Sequence, residues 1–124
     1  MNVTLWIVAS LLAAAFLAAG ALKLVKPRSA LVESGMGWAE DYSESNVKLI
    51  GLAECLGAIG LILPAAFGVA EILTPIAAAG LAVTMVGAFA VHVRRGETSA
   101  LVGPAVLGLL AAVVAILRFG PYSF

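Results

Sequence analysis

The chain has 124 residues, 63% of them hydrophobic and only 11% charged, with a mean hydropathy of +1.12, a composition that excludes an ordinary soluble domain and marks an integral membrane protein. Seven Lys and Arg against seven Asp and Glu give a formal net charge of zero, so there is no basic field to grip nucleic acid. One cysteine, Cys55, and one histidine, His92, exclude an intrachain disulfide, a CxxC pair, a cysteine-based zinc site and a multi-histidine haem or metal site within a single chain.

Four apolar segments reach the roughly 20 residues that a helix rising ~1.5 Å per residue needs to cross a hydrocarbon core. They cover residues 3–25, 47–66, 72–93 and 100–119. The first reads as a mature helix and not a signal peptide, because no Lys or Arg precedes an apolar run that is too long for an h-region. Pro27 ends it. The next stretch, residues 26–46, is the one substantial polar piece. Trp38 and Tyr42, four apart, predict a short interfacial element covering the mouth of the bundle, with Glu40, Asp41 and Glu44 solvated. Ser45 or Asn46 is the expected cap of the second helix. In the third, Pro75 behind Thr74 reads as a first-turn proline after an N-cap. In the fourth, Pro104 counted from a Ser99 cap falls inside the helix and predicts a kink. The short connections between later segments make consecutive helices antiparallel neighbours. The expected fold is all-α: a four-transmembrane-helix bundle forming one domain over residues 1–124.

Small residues at helical spacing, Ala53 with Gly57, Ala15 with Ala19 and Ala78 with Ala82, are expected at helix contacts, where close backbone approach supplies association energy in lipid. Basic residues set the orientation. Lys23, Lys26, Arg28, Lys48, Arg94 and Arg95 flank one side and only Arg118 the other, so both termini are expected outside the cytoplasm.

Glu54, in the run Gly51 to Pro64, is a carboxylate among greasy and small residues. At the centre of a bilayer an ionised side chain costs roughly 2.5 to 3.5 kcal/mol, and at this shallower depth a glutamate is still too short to snorkel freely. It needs a partner or a proton. The partners that share its half of the bundle are Lys23, His92 and Arg94 or Arg95, and an inward cluster of Glu54, Lys23 and His92 is expected, with acid and base capacity. Met85, one heptad before His92, and Phe89 are expected to line an apolar pocket above that cluster, with Arg95 and Trp38 at its polar mouth. Cys55, turned roughly 100° along the helix from Glu54, reads as an apolar filler.

The segments "AFLAAGALKLV", "GLAECLGAIGLILP" and "LTPIAAAGLAVTMVGAFAVHVRRGE", with the Arg118 end, together resemble the DoxX-like family of small four-helix membrane proteins. The resemblance covers essentially the whole chain and places family-recurrent residues at Lys23, Glu54, Pro64, Pro75 and His92. It implies links to membrane oxidoreductase systems, with quinone as a ligand, although the lack of a CxxC pair speaks against a thiol-disulfide role. Three functions remain open. One is an accessory subunit that binds a quinone or another hydrophobic molecule, alongside a membrane redox partner or a second copy of itself. Another is a cofactor-free isomerase, cyclase or hydrolase using Glu54, His92 and Lys23 on a lipid-like substrate. The last is an assembly partner for other membrane proteins.

Overall fold

The computed structural model describes residues 2–124. Four long helices, α1 (Asn2–Val25), α3 (Glu44–Phe67), α4 (Leu73–Arg94) and α5 (Val102–Phe119), pack antiparallel to their neighbours in the chain. Each of the four spans, with the last extended back to Thr98, is long and apolar enough to cross a membrane. The connection after α1 folds into a short helix, α2 (Arg28–Glu33), and a 3-10 turn (Gly37–Asp41); a second 3-10 turn (Thr98–Leu101) leads into α5. The main core runs through the bundle with Leu12, Phe16, Leu61, Leu81, Met85 and Val114. Large apolar side chains such as Val83, Val86 and Leu109 are exposed, a surface suited to lipid and not to water.

The ends of the helices differ from the sequence reading in three places. The cap of α3 is Ser43, whose hydroxyl accepts the Asn46 N–H at 3.1 Å, rather than Ser45 or Asn46. This start makes Val47 the fourth residue of the helix, in the small cluster against which Tyr42, immediately before the cap, also packs, the placement of a hydrophobic staple. Thr74 is not a cap either. It lies within α4, buried, and donates to the carbonyls of Leu61 at 3.2 Å and Gly60 at 3.4 Å. Pro64, inside α3, has no N–H to offer the Gly60 carbonyl one turn earlier, and the Thr74 hydroxyl takes its place. Pro104, finally, does not sit deep in a helix. The chain runs as a 3-10 turn to Leu101 and becomes α-helical at Val102, so Pro104 falls in the first turn, where its missing N–H has no intrahelical acceptor to lose.

Of the small residues expected at helix contacts, Gly57 and Ala78 are there, and Ala82 packs against the core. Ala15 and Ala53 are exposed, whereas a Cβ on Gly20 would lie 2.6 Å from the Gly51 carbonyl oxygen, and one on Gly51 would lie 2.7 Å from the Lys23 Cβ. These two glycines bring α1 against α3. Gly57 plays the same part against Leu81 of α4, at 2.6 Å. At the end of α3, Gly68 adopts φ +65° and the Val69 N–H bonds the Pro64 carbonyl at 2.9 Å, a left-handed termination that glycine takes without steric cost. Near it, buried Arg118 of α5 donates to Asn2 Oδ1 at 2.7 Å and to the Tyr122 carbonyl at 2.9 Å, and stacks 4.1 Å from the Phe124 ring. This contact ties the last helix to the first.

Candidate functional site: a walled cavity beneath a folded connection

At the other end of the bundle, Lys23 and Glu54 form an ion pair, with Lys23 Nζ donating to Glu54 Oε1 at 2.6 Å. Their side chains are 9% and 3% exposed, so the pair is shut off from solvent. Helical side chains lean toward their own N-terminus. In antiparallel α1 and α3 this leans Lys23 into the bundle and Glu54 back toward the connection, and the two converge. Gly51 leaves the space that the Lys23 stem occupies. At ~4 Å and an effective dielectric near 20, such a pair gains about 4 kcal/mol before desolvation is counted.

The folded connection lies over this pair. Leu31, Ala39 and Val47 form a small core beneath it, with Trp38 and Tyr42 packed against them. The Trp38 ring centroid is 5.7 Å from Lys23 Nζ, within reach of a cation–π attraction, and Tyr42 meets Trp38 edge-on with centroids 6.0 Å apart. Arg28 donates to the Tyr42 carbonyl at 2.8 Å and so closes the connection on itself, while Lys48 of α3 donates to the Leu24 carbonyl of α1 at 2.9 Å beside it. The connection is fastened to the bundle from the end of α4. Arg95 Nη1 donates to Asp41 Oδ2 at 2.7 Å, and Arg95 Nε lies 3.4 Å from Glu97 Oε1. Gly96, at φ +69°, turns the chain so that Glu97 folds back on the helix, where its carboxylate meets His92 Nδ1 at 2.9 Å. The His92 and Arg95 contacts hold the Glu97 carboxyl below the usual carboxylate range, and Asp41 raises the Arg95 guanidinium above its ordinary value.

Lys23, Trp38, Tyr42, Glu54 and His92 line one cavity of about 450 Å3. Its remaining wall is largely apolar, with Ile50 from α3, Met85, Ala88 and Val91 from α4, and Pro104 and Leu107 from α5. Of the residues expected at a site, Glu54, Lys23, His92, Met85 and Trp38 therefore face a common space. The expected three-membered cluster is divided, however: among the described residues Lys23 alone bonds Glu54, and His92 bonds Glu97 instead.

Two expected lining residues are elsewhere. Phe89 is 39% exposed and does not reach the cavity. The lining arc of α4 extends from Met85 toward Ala88 and Val91, and four residues at 100° each place Phe89 about 40° beyond Met85 on the other side. Arg95 lies outside the lining and serves the contact to Asp41. Sequence reasoning missed Thr84 and Val91 in the wall, although both lie one turn from Ala88, and it missed Glu97 as the carboxylate partner of His92 and Arg95.

Four apolar antiparallel spans around a cavity with an ion pair in its wall define an integral, multi-pass membrane protein. The model of the DoxX-like family matches residues 7–114, and the chain belongs to that family. No curated protein and no solved structure matches it.

Proposed function

We propose that the protein binds a quinone or a similar hydrophobic molecule with a polar, hydrogen-bond-accepting end, as an accessory subunit to a membrane redox partner, with the connection end of the bundle in the cytoplasm. The observation that carries this reading is the Lys23–Glu54 pair set in the wall of an otherwise apolar cavity. An ammonium has three donors. Glu54 takes one and the Trp38 face attracts the charge, which leaves capacity for a ligand carbonyl. The cavity volume falls within the range typical of small-molecule sites. The orientation rests on the basic residues gathered at the connection end.

Trp38 makes the test direct. In a Trp6→Phe background, the remaining indole lies in the cavity wall, and titration of the protein in lipid nanodiscs with a chainless dimethoxy-methyl-benzoquinone should quench it saturably. Glu54→Gln should keep the fold and remove the saturable component. Linear collisional quenching that is identical in both proteins sinks the reading. One observation favours a second reading: the His92–Glu97 pair at the cavity edge has the geometry of an oriented acid–base group. Conversion of a bound amphiphile, lost in His92→Gln while quenching persists, would move the assignment from binding to catalysis.

A further inference from the structure

The chain has 13 glycines, and all but three have a reason in the backbone or in packing. Gly35, Gly68 and Gly96 have φ between +65° and +109°. At Gly20, Gly51, Gly57 and Gly60 an added Cβ would come within 2.6 to 2.9 Å of a neighbour, and at Gly37, Gly108 and Gly120 within 3.1 Å. Gly80, Gly87 and Gly103 are different. They lie in helices, where only proline is less favourable than glycine, and a Cβ at any of them would meet nothing within 4 Å. Gly87 and Gly103 line the cavity beneath the connection. Gly80 lines a second hollow, of about 350 Å3, on the face between α3 and α4.

That second hollow is a groove with Leu56, Gly57 and Gly60 on one side and Leu73, Ala77 and Gly80 on the other. Thr84 is a wall of both hollows. Its hydroxyl donates to the Gly80 carbonyl at 2.9 Å, so the junction presents no unpaired donor to an apolar occupant. Along α4 the cavity wall runs from His92 to Thr84 and the groove from Thr84 back to Leu73. The first stretch rises ~12 Å and the second ~16 Å. Together they approach the ~30 Å thickness of a hydrocarbon core, about twice what a lipid confined to one leaflet spans.

We propose that the α3–α4 groove holds the chain of the same amphiphile whose polar end sits at Lys23 and Glu54, so that the ligand class is a single long alkyl or isoprenoid chain crossing the bilayer midplane past Thr84. This rests on the reading of the cavity as a ligand site. The absence of side chains at Gly80, Gly87 and Gly103 keeps the path open. In lipid, a chain gains little by moving from neighbouring tails into a protein groove. The groove therefore acts by direction: it aligns the chain and thereby presents the head to the ion pair.

Position is accordingly the quantity to measure. A benzoquinone carrying a decyl chain with a terminal diazirine is photolysed with the full-length protein in nanodiscs, and the adducts are mapped by mass spectrometry. Adducts should concentrate on Leu56–Gly60 and Leu73–Ala77. Gly80→Leu, whose side chain enters open space, should abolish those adducts while leaving quenching of Trp38 by the chainless ring unchanged. Adducts spread over the exposed Val83, Val86 and Leu109 as densely as over the groove would identify bulk lipid as its occupant and overturn the proposal, as would an adduct pattern that Gly80→Leu leaves intact. Failure of the chainless ring to quench Trp38 strikes the head site alone, since the adduct map is read without it.

Discussion

The two ends of the bundle each bury a cation, and they satisfy it in opposite ways. Arg118 is 4% exposed and is held by neutral groups, the Asn2 amide oxygen and the Tyr122 carbonyl, beneath the Phe124 ring. Lys23 is 7% exposed and is held by a carboxylate at the edge of a cavity. Both Arg118 bonds come from Nη1 and tie Asn2 and the chain end to α5, and Arg118 is not in the lining of the cavity. The Lys23 ammonium, with one carboxylate partner, faces a cavity in which its remaining donors are able to meet something else. The difference separates a fastening from the site proposed above.

The strongest way to break this contrast is to strand one member of the pair. Lys23 is too deeply set to reach solvent, so Glu54→Leu should destabilise the protein by about 3–5 kcal/mol, whereas the double variant Lys23→Met/Glu54→Leu should recover most of that loss. Unfolding followed in mixed micelles would read both, and a Glu54→Leu protein as stable as wild type would mean that the pair is not buried in the membrane. A smaller effect is expected where α3 meets α4. Thr74→Val leaves the Gly60 carbonyl without its donor, for about 1–3 kcal/mol, and should leave quinone quenching of Trp38 untouched, because Thr74 is at the far end from the cavity. At Gly51, Gly51→Ala places a methyl group 2.7 Å from the Lys23 Cβ. It should cost on the order of 1–3 kcal/mol through overpacking and also weaken quenching, since Lys23 must move; a stability loss with quenching intact would uncouple the glycine contact from the site.

The smallest effect belongs to the fastening between Arg95, Glu97 and Asp41. Glu97 has its carboxyl depressed below the ordinary 4.5, so the folded form holds fewer protons than the unfolded one near that pH. Its contribution is present above the ordinary glutamate value and is lost as pH falls through the depressed one. In the Trp6→Phe background, Trp38 emission should be flat from neutral pH down to about 4.5 and shift below it. Glu97→Gln should remove that particular transition, and a transition unchanged in Glu97→Gln would assign it to another carboxylate.

Much of the fold was legible because the bilayer imposes a length: four runs of about 20 apolar residues admit few other readings. The pairing of Lys23 with Glu54 was legible for a related reason, since few charges occupy that half of the bundle and a buried carboxylate requires one of them. What escaped depends on angles and reach. Phe89 misses the cavity by about 40° of helix rotation, a difference that i, i+4 spacing from Met85 does not resolve. His92 pairs with Glu97 because the Gly96 turn carries the chain back on itself, and nothing in the run His92 to Glu97 states the direction of that turn. Ser43, Ser45 and Asn46 offer equivalent capping chemistry, and the choice among them falls to the packing of Tyr42 and Val47 with Leu31 and Ala39 of the connection, a tertiary cluster. Gly20 and Gly51 stood among many small residues, and only the crossing of α1 with α3 singles them out.

The bond from Thr74 to the Gly60 carbonyl bears on how the chain enters a bilayer. A backbone carbonyl left without a donor in hydrocarbon costs several kcal/mol, and Pro64 creates such a carbonyl in α3 that α3 itself has no means of filling. The missing donor arrives only with the first turn of α4. During biosynthesis α3 is thus an incomplete span when it emerges alone, and leaves the translocon most favourably together with α4, as a preassembled helical hairpin.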